Sequence, residues 1–133
     1  MKLVATSLAG KEQTLAVWEQ GTGGLLQAEL SLALAEQPYF IGGRVVGQKG
    51  AASSNLSVQA SGIRDDLQAD LGLAMSVFIK PSSTVDNVLA KISLALSSPS
   101  GVIQKELDLG GYSWQHIRQL ACLQALDFVR NTL

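Results

Sequence analysis

The 133-residue sequence is poor in the residues that most often carry covalent or metal chemistry. It has one cysteine, Cys122, and one histidine, His116, so an intrachain disulfide is excluded. These two residues lie six apart on a proposed helix, so their side chains point in different directions and form no local nucleophile–base pair. We interpret His116 as a surface histidine beside Trp114. From these side chains we expect no catalytic site.

Sequence motifs for phosphate, cofactor or metal binding are missing as well. The segment from Gly21 to Gly24 lacks the lysine of a phosphate-binding loop, and we interpret it as a flexible connection. Asp65, Asp66 and Asp70 lack the glycine-centred spacing of a calcium loop, which favours a solvated turn. We therefore expect no metal, no cofactor and no enzymatic activity.

Charge is scarce, since 16% of residues are charged, 47% are hydrophobic and the net charge is −1. A surface so poorly charged favours burial against other chains, which predicts an oligomer. The acidic pI of about 5.7 argues against a strongly basic nucleic-acid arm, so any RNA binding must use a local patch. The opening MKLVATSLAG lacks a secretory apolar region, and no run approaches the ~18 apolar residues of a membrane span. We expect one soluble, intracellular domain covering residues 1–133.

Period-two alternation of apolar residues runs through the first three quarters of the chain. It predicts an N-terminal hairpin within residues 1–20, from Lys2–Leu8 and Gln13–Trp18, and an antiparallel sheet over residues 25–97. The clearest strand is 71–80, where five consecutive odd positions are apolar. Seven strands followed by helix predict an α+β fold.

Three segments allow more than one interpretation. Residues 26–35 alternate like a strand although their residue types favour helix, and we predict a strand. Residues 88–96 fit either a strand or a helix capped by Ser83 or Thr84, and we predict a strand because the preceding one needs a neighbour. Residues 102–109 stay undecided.

Residues 100–133 are predicted as a C-terminal helical region. Ser113 is a natural N-cap, and after it the apolar residues fall on one broad helical stripe. That breadth predicts contact with two surfaces, one of them another subunit. The predicted dimer-interface residues are Trp114, Ile117, Leu120 and Phe128.

The most informative stretch is residues 40–61, FIGGRVVGQKGAASSNLSVQAS, which we interpret as a hairpin centred on Gly50. In its second run Leu56, Val58 and Ala60 alternate with uncharged polar residues, which predicts one apolar and one polar face. Such a polar face is typical either of an ordinary solvated sheet or of a surface that hydrogen-bonds RNA.

The strand order and three segments resemble the coat proteins of single-stranded RNA bacteriophages. These segments are KLVATSLAGKEQTLAVWEQ, GRVVGQKGAASSNLSVQAS and FIKPSSTVDNVLAKISLALS. The resemblance implies a sheet extended across an intertwined homodimer, self-assembly into an icosahedral capsid, and localisation in the virion after assembly in bacterial cytoplasm. It also implies packaging of single-stranded viral RNA, and binding of an RNA hairpin that represses replicase translation.

The same resemblance implies two sets of site residues. The inner, RNA-binding sheet face would hold Arg44, Gln48, Lys49, Asn55, Ser57, Gln59, Ser61, Ser76, Lys80, Lys91 and Ser93. The assembly loop would be Pro81, Ser82, Ser83 and Thr84. Few of these residues are basic, which predicts modest RNA affinity.

A second function of a different class fits the same sequence. It is a small dimeric α+β ligand-binding protein or enzyme of unknown substrate. An enclosed ligand pocket would favour apolar residues where Asn55, Ser57 and Gln59 point, and gel filtration with absorbance at 260 and 280 nm separates the two hypotheses.

Overall fold

The computed structural model of the protein describes residues 8, 10, 12–34, 38–47 and 55–132. Its elements, in chain order, are β1 (Leu15–Gln20), α1 (Leu25–Ala33), β2 (Phe40–Val46), α2 (Leu56–Asp66), β3 (Leu71–Ile79), β4 (Val88–Ser98), β5 (Gly101–Tyr112) and α3 (Trp114–Thr132). Among the described helices, none is long and apolar enough to cross a membrane.

The five strands form one mixed sheet in the order β2-β1-β3-β4-β5. β1 pairs in parallel with both β2 and β3, whereas β3, β4 and β5 pair antiparallel. Parallel neighbours need a crossover, which α1 supplies between β1 and β2 and α2 supplies between β2 and β3. The two crossovers run in opposite directions across the sheet, so a right-handed connection in each case places α1 and α2 on opposite faces.

Each face of the sheet carries its own hydrophobic cluster. On one face, α1 and α3 cover the larger cluster, which includes Leu30, Met75, Ile92 and Phe128. On the other face, α2 covers a smaller cluster containing Trp18, Ala60 and Ala74. The period-two alternation of the strands sends successive side chains to the two clusters in turn.

Two predicted strands are helices. The predicted strand 26–35 overlaps α1 from Leu26 to Ala33, where Leu26 and Leu30 are buried at helical spacing, while residue 35 lies outside the described residues. Residues 55–61 begin α2, whose buried residues are Leu56, Ala60 and Ile63. In both segments i, i+4 and i+7 spacing coexists with local alternation, and the helical spacing determines the structure.

The predicted hairpins are therefore wrong where they can be checked. β2 is a strand, but it pairs with β1 rather than with residues 55–61, and the supposed turn at Gly50 lies outside the described residues. β1 exists with two parallel partners, while residues 2–7 of its predicted hairpin also lie outside the described part.

Other predictions agree with the structure. The α+β class, β3, β4 and the helix after Ser113 are confirmed. The undecided residues 102–109 belong to β5, so only the second part of the predicted helical region 100–133 is helix. A sheet wholly antiparallel is wrong, because β2, β1 and β3 are parallel.

Candidate functional site

A row of polar residues crosses the α2 face of the sheet. Gln20 of β1 pairs with Ser76 of β3, Ser76 pairs with Ser93 of β4, and Ser93 pairs with Glu106 of β5. Directly paired residues on neighbouring strands project to the same face. The row therefore places an amide, two hydroxyls and a carboxylate side by side.

The inner end of this row is buried and fixed by hydrogen bonds. Ser76 Oγ donates to Gln20 Oε1 at 3.2 Å, and Gln20 Nε2 donates to the Gly47 carbonyl at 3.4 Å. Gln20 is the last residue of β1 and Gly47 follows β2, so this network lies at the carboxyl ends of two parallel strands. In open α/β sheets that edge is where ligands commonly bind.

A cleft of about 230 Å³ opens beside this row, next to the N-terminus of α2. We call it the polar cleft, and its lining residues are Asn55, Leu56, Ser76, Phe78, Lys91, Ser93, Leu94, Gln104, Lys105 and Glu106. Hydroxyl, amide and charged groups surround a single aromatic ring. This is a composition suited to a small polar molecule.

One ion pair borders the polar cleft, and a second lies in the cleft next to it. Lys91 Nζ lies 3.2 Å from Glu106 Oε2, and Lys80 Nζ lies 3.0 Å from Asp108 Oδ1. Lys80, Lys91, Glu106, Leu107 and Asp108 line a second, adjoining cleft of about 470 Å³. Lys91 and Glu106 border both clefts, so their ion pair separates them.

The structure brings together four residues of the predicted RNA-binding set. Asn55, Ser76, Lys91 and Ser93 all line the polar cleft, and Lys80 lines the adjoining one. Ser76, Lys91 and Ser93 are close because the predicted pairing of β3 with β4 is present.

The remaining members of that set are dispersed. Arg44 forms a 2.9 Å ion pair with Asp66 near the end of α2. Ser57, Gln59 and Ser61 lie on α2, so they do not share one face as they would on a strand, and Ser61 Oγ donates to Ser97 Oγ at 3.1 Å. Gln48 and Lys49 lie outside the described residues.

The predicted assembly loop is a compact connection between β3 and β4. Ser83 Oγ donates to the Leu89 carbonyl at 3.0 Å and accepts from the Leu89 amide at 2.8 Å, while Pro81, Ser82 and Thr84 are exposed. Of the predicted dimer-interface residues, Ile117 and Phe128 are buried in the larger cluster, and Trp114 and Leu120 are half-buried. The protomer's own core therefore accounts for Ile117 and Phe128, and their role in a dimer stays a prediction.

The glycine segment after β1 is a constrained turn, where the sequence suggested a flexible connection. Gly21, Gly23 and Gly24 all have positive φ, and Thr22 is buried between them. The fully buried Glu19 carboxylate accepts hydrogen bonds from Leu26 N at 2.9 Å, from Gln27 N at 3.2 Å and from the Thr22 hydroxyl. Because Glu19 occupies the N-terminus of α1, that helix end is already satisfied by an internal anion.

Cys122 and His116 occupy different environments on α3. Cys122 is buried, and burial, reinforced by the nearby charges of Glu19 and Glu29, raises the pKa of its thiol to about 12. His116 is exposed and its ring lies 4.9 Å from that of Tyr112, between centroids. Neither residue lines the polar cleft.

The predicted solvated turn of aspartates has specific contacts. Asp70 accepts hydrogen bonds from the amide and the hydroxyl of Thr14, at 2.9 and 3.1 Å, and Asp66 pairs with Arg44. Across the part of the chain that the structure describes, no three His, Cys, Asp or Glu side chains are grouped to hold a metal.

Sequence reasoning missed several residues of the polar cleft. Gln104 and Glu106 of the cleft, and Gln20 of the polar row beside it, were not proposed, because residues 102–109 had no assigned structure and β1 was treated as part of a hairpin. A signal was present: Gln104, Glu106 and Asp108 alternate with Leu107 and Leu109, which is the period of a strand.

Comparison with known proteins finds relatives of the chain in bacteria. The family described as the CinA C-terminal domain matches residues 44–133. A putative competence-damage inducible protein of Streptococcus suis (strain 98HAH33) is 72% identical over 133 residues, covering 100% of this chain and 34% of that protein. One of Desulforamulus reducens is 31% identical over 128 residues, covering 83% of this chain and 31% of that protein. The chain thus spans about a third of the length of these relatives.

Solved structures share the fold. The competence damage-inducible protein A of Klebsiella pneumoniae has a TM-score of 0.80 at 20% identity, covering 97% of this chain and 91% of that one. CihA, a competence/damage inducible protein of Agrobacterium tumefaciens, has a TM-score of 0.74 at 19% identity, covering 96% of this chain and 92% of that one. At these identities the likeness concerns the fold alone.

These findings overturn the resemblance to phage coat proteins. The family match and the 72% identical relative are both to competence-damage inducible proteins, so the capsid function, the RNA partner, the icosahedral assembly and the virion location are wrong. The error began with residues 55–61, because treating α2 as a strand completed a strand order similar to that of the coat proteins. The alternative, a small α+β protein of unknown substrate, fits better.

Proposed function

The chain belongs to the CinA C-terminal domain family, and we propose that its domain binds a small polar molecule in the polar cleft. The observation that carries this proposal is the polar row that begins at Gln20 and continues through Ser76, Ser93 and Glu106, the last three of which line that cleft. Two members of the row, Gln20 and Ser76, are buried, and hydrophobic side chains at these two positions would need no hydrogen-bond partners. A binding role explains why the chain keeps polar side chains here.

Burial and position distinguish this row from an ordinary solvated face. Gln20 and Ser76 are buried, yet Ser76 also lines an open cleft at the end of α2. Because the Ser76 hydroxyl donates its hydrogen to Gln20, the lone pairs of its oxygen can accept a hydrogen bond from a ligand. Gln20 in turn is held by Gly47, so the acceptor is preorganised.

The proposal is for binding rather than catalysis. Cys122 is buried with a raised pKa, which keeps the thiol protonated at neutral pH, and His116 lies outside the cleft. The relatives are named as competence-damage inducible proteins, and we propose that this chain acts in the same cellular setting. Its abundance should then rise in cells that become competent or suffer damage.

The test is a titration of the ¹⁵N-labelled chain with a library of small polar metabolites, followed by amide chemical shifts. Ligands should shift the amides of Ser76, Lys91, Ser93 and Glu106 first. Ser76→Ala should weaken binding about tenfold, because one hydrogen bond is lost. Ser100→Ala is the matched control, since Ser100 is exposed and outside this cleft.

If the whole library leaves these amides unmoved, the binding proposal is wrong. If a bound compound is consumed when its NMR signals are followed over time, the domain is an enzyme and the non-catalytic part of the proposal fails.

A further inference from the structure

The ion pair between Lys91 and Glu106 is poorly explained by stability alone. Its side chains are 43% and 63% exposed, and exposed pairs of this kind contribute little to folding. Yet the pair lies where the polar cleft meets the adjoining one, and both side chains border each cleft. Both charges are therefore available to a molecule that enters from either side.

The charges around these clefts balance. In the adjoining cleft, Lys80 and Lys91 face Glu106 and Asp108, which gives two cations and two anions. The polar cleft also borders Lys105, but Lys105 pairs in register with Leu94, and this pair alternates to the opposite face of the sheet. The charged groups on the cleft's own face are thus Lys91 and Glu106.

A ligand that enters the cleft can replace Lys91 and Glu106 as each other's ion-pair partners, and this exchange favours one kind of ligand. A ligand with only an anionic group that captures Lys91 leaves Glu106 without its partner, and a ligand with only a cationic group leaves Lys91 alone. A zwitterion satisfies both, because its anion takes Lys91 while its cation takes Glu106. Since the original pair is exposed and weak, this exchange costs little.

We propose that the ligand of the polar cleft is a small zwitterion of the α-amino acid class with an uncharged polar tail, held by Lys91 and Glu106. This inference rests on the proposed binding function of the same cleft. The ligand's carboxylate binds Lys91 Nζ and its ammonium binds Glu106 Oε2, while Ser76, Ser93, Asn55 and Gln104 offer hydrogen-bond partners to the tail.

The experiment titrates the full chain with three matched compounds and follows the amide shifts of the cleft residues. L-Glutamine carries both charges, N-acetyl-L-glutamine lacks the cation, and L-glutamine α-amide lacks the anion. We expect L-glutamine to bind at least tenfold more tightly than either analogue. It is titrated within a panel of zwitterionic amino acids.

Two variants test the residues. Lys91→Gln and Glu106→Gln should each lower the affinity for the best zwitterion at least tenfold. Lys91→Gln should also remove the preference over the analogue without the anion, and Glu106→Gln the preference over the analogue without the cation. Arg44→Gln breaks an exposed ion pair of similar geometry outside the cleft, so it should leave affinity unchanged. The unchanged amide spectrum away from the cleft confirms that each variant is folded.

The outcomes separate the two proposals. If a compound with a single charge, or none, shifts the cleft as strongly as any zwitterion, the ligand class is wrong while the binding function stands. The same holds if Lys91→Gln and Glu106→Gln bind like the wild type. If no compound of any class shifts the cleft, the binding function fails and the ligand class fails with it.

Discussion

Gly72 of β3 lies directly beneath α2, and its missing side chain sets how closely that helix approaches the sheet. A Cβ atom at this position would lie 2.1 Å from the Ala60 carbonyl oxygen and 2.7 Å from the Arg64 Cβ. Both contacts are with the helix backbone or its first side-chain atom, so rotation of a flexible side chain cannot relieve them. The whole helix would have to move away from the smaller cluster.

We therefore expect Gly72→Ala to lower the free energy of unfolding by about 1–3 kcal/mol, as overpacking of a close contact does. The matched control is Gly62→Ala within α2 itself, where a Cβ meets nothing within 4 Å. That substitution should raise stability by about 0.5–1 kcal/mol, because glycine is costly inside a helix. Urea denaturation followed by circular dichroism measures both, and equal effects would show that α2 does not press on Gly72.

At this scale, the sequence predicts individual site residues only where the secondary structure is right. Ser76, Lys91 and Ser93 were placed together because alternation in β3 and β4 correctly assigns their face. Gln59 and Ser61 were misplaced, since on a helix they turn away from each other. Glu19 has no sequence signal at all, because its partners, two backbone amides and the Thr22 hydroxyl, meet it only once the turn at Gly21–Gly24 is formed.

At the scale of the elements, α3 carries an apolar stripe that packs in the larger cluster of the same chain. Phe128 is 7% exposed and packs in the larger cluster, whereas Leu123 on the same helix is 58% exposed. The sequence alone assigned part of this stripe to a second subunit. The sheet covered by α1 and α3 buries Ile117 and Phe128 of this stripe, whereas Trp114 and Leu120 are half-buried.

Phe128→Ala should accordingly cost about 3–5 kcal/mol of stability, the usual loss for a large aromatic side chain removed from a core. Leu123→Ala should change stability by less than about 0.5 kcal/mol, as exposed substitutions do. Thermal or urea unfolding of both variants, at several protein concentrations, gives the comparison. A loss that depends on concentration would instead assign Phe128 to an interface between chains.

Element assignment failed where two periods coexist. In 26–35 the residues Leu26 and Leu30 fit a helix, while Ala28, Leu30 and Leu32 fit a strand. The helix-favouring residue types and the packing of Leu26 and Leu30 in the larger cluster select the helix. The parallel pairing of β1 was also beyond reach, because it depends on α1 and α2 being crossovers. Once those helices are assigned, the mixed sheet follows from chain connectivity.

For the molecule as a whole, the sheet lies between two hydrophobic clusters, and its central strands contribute to both. Ala16 and Trp18 of β1 join the smaller cluster, while Leu15 and Val17 join the larger one. β3 is divided in the same way, with Ala74 on one face and Leu73 and Met75 on the other. Loss of α2, or of α1 and α3, would expose one face of strands whose other face packs against the remaining helices.

The two tryptophans report on the two layers separately. Trp18 is buried under α2 in the smaller cluster, and Trp114, the first residue of α3, packs against the larger one. Because β1 and β3 are shared, we expect the two layers to unfold in one cooperative step. The variants Trp114→Phe and Trp18→Phe each leave a single tryptophan, so fluorescence then follows one layer at a time.

In each variant the urea transition seen by fluorescence should coincide with the one seen by far-UV circular dichroism, which follows the whole chain. Comparing the two signals within each variant removes any difference in stability between them. A fluorescence midpoint well below the circular-dichroism midpoint in the variant that keeps Trp18 would mean that α2 leaves the sheet before the rest unfolds. The polar cleft beside the N-terminus of α2 would then open and close independently of the larger core.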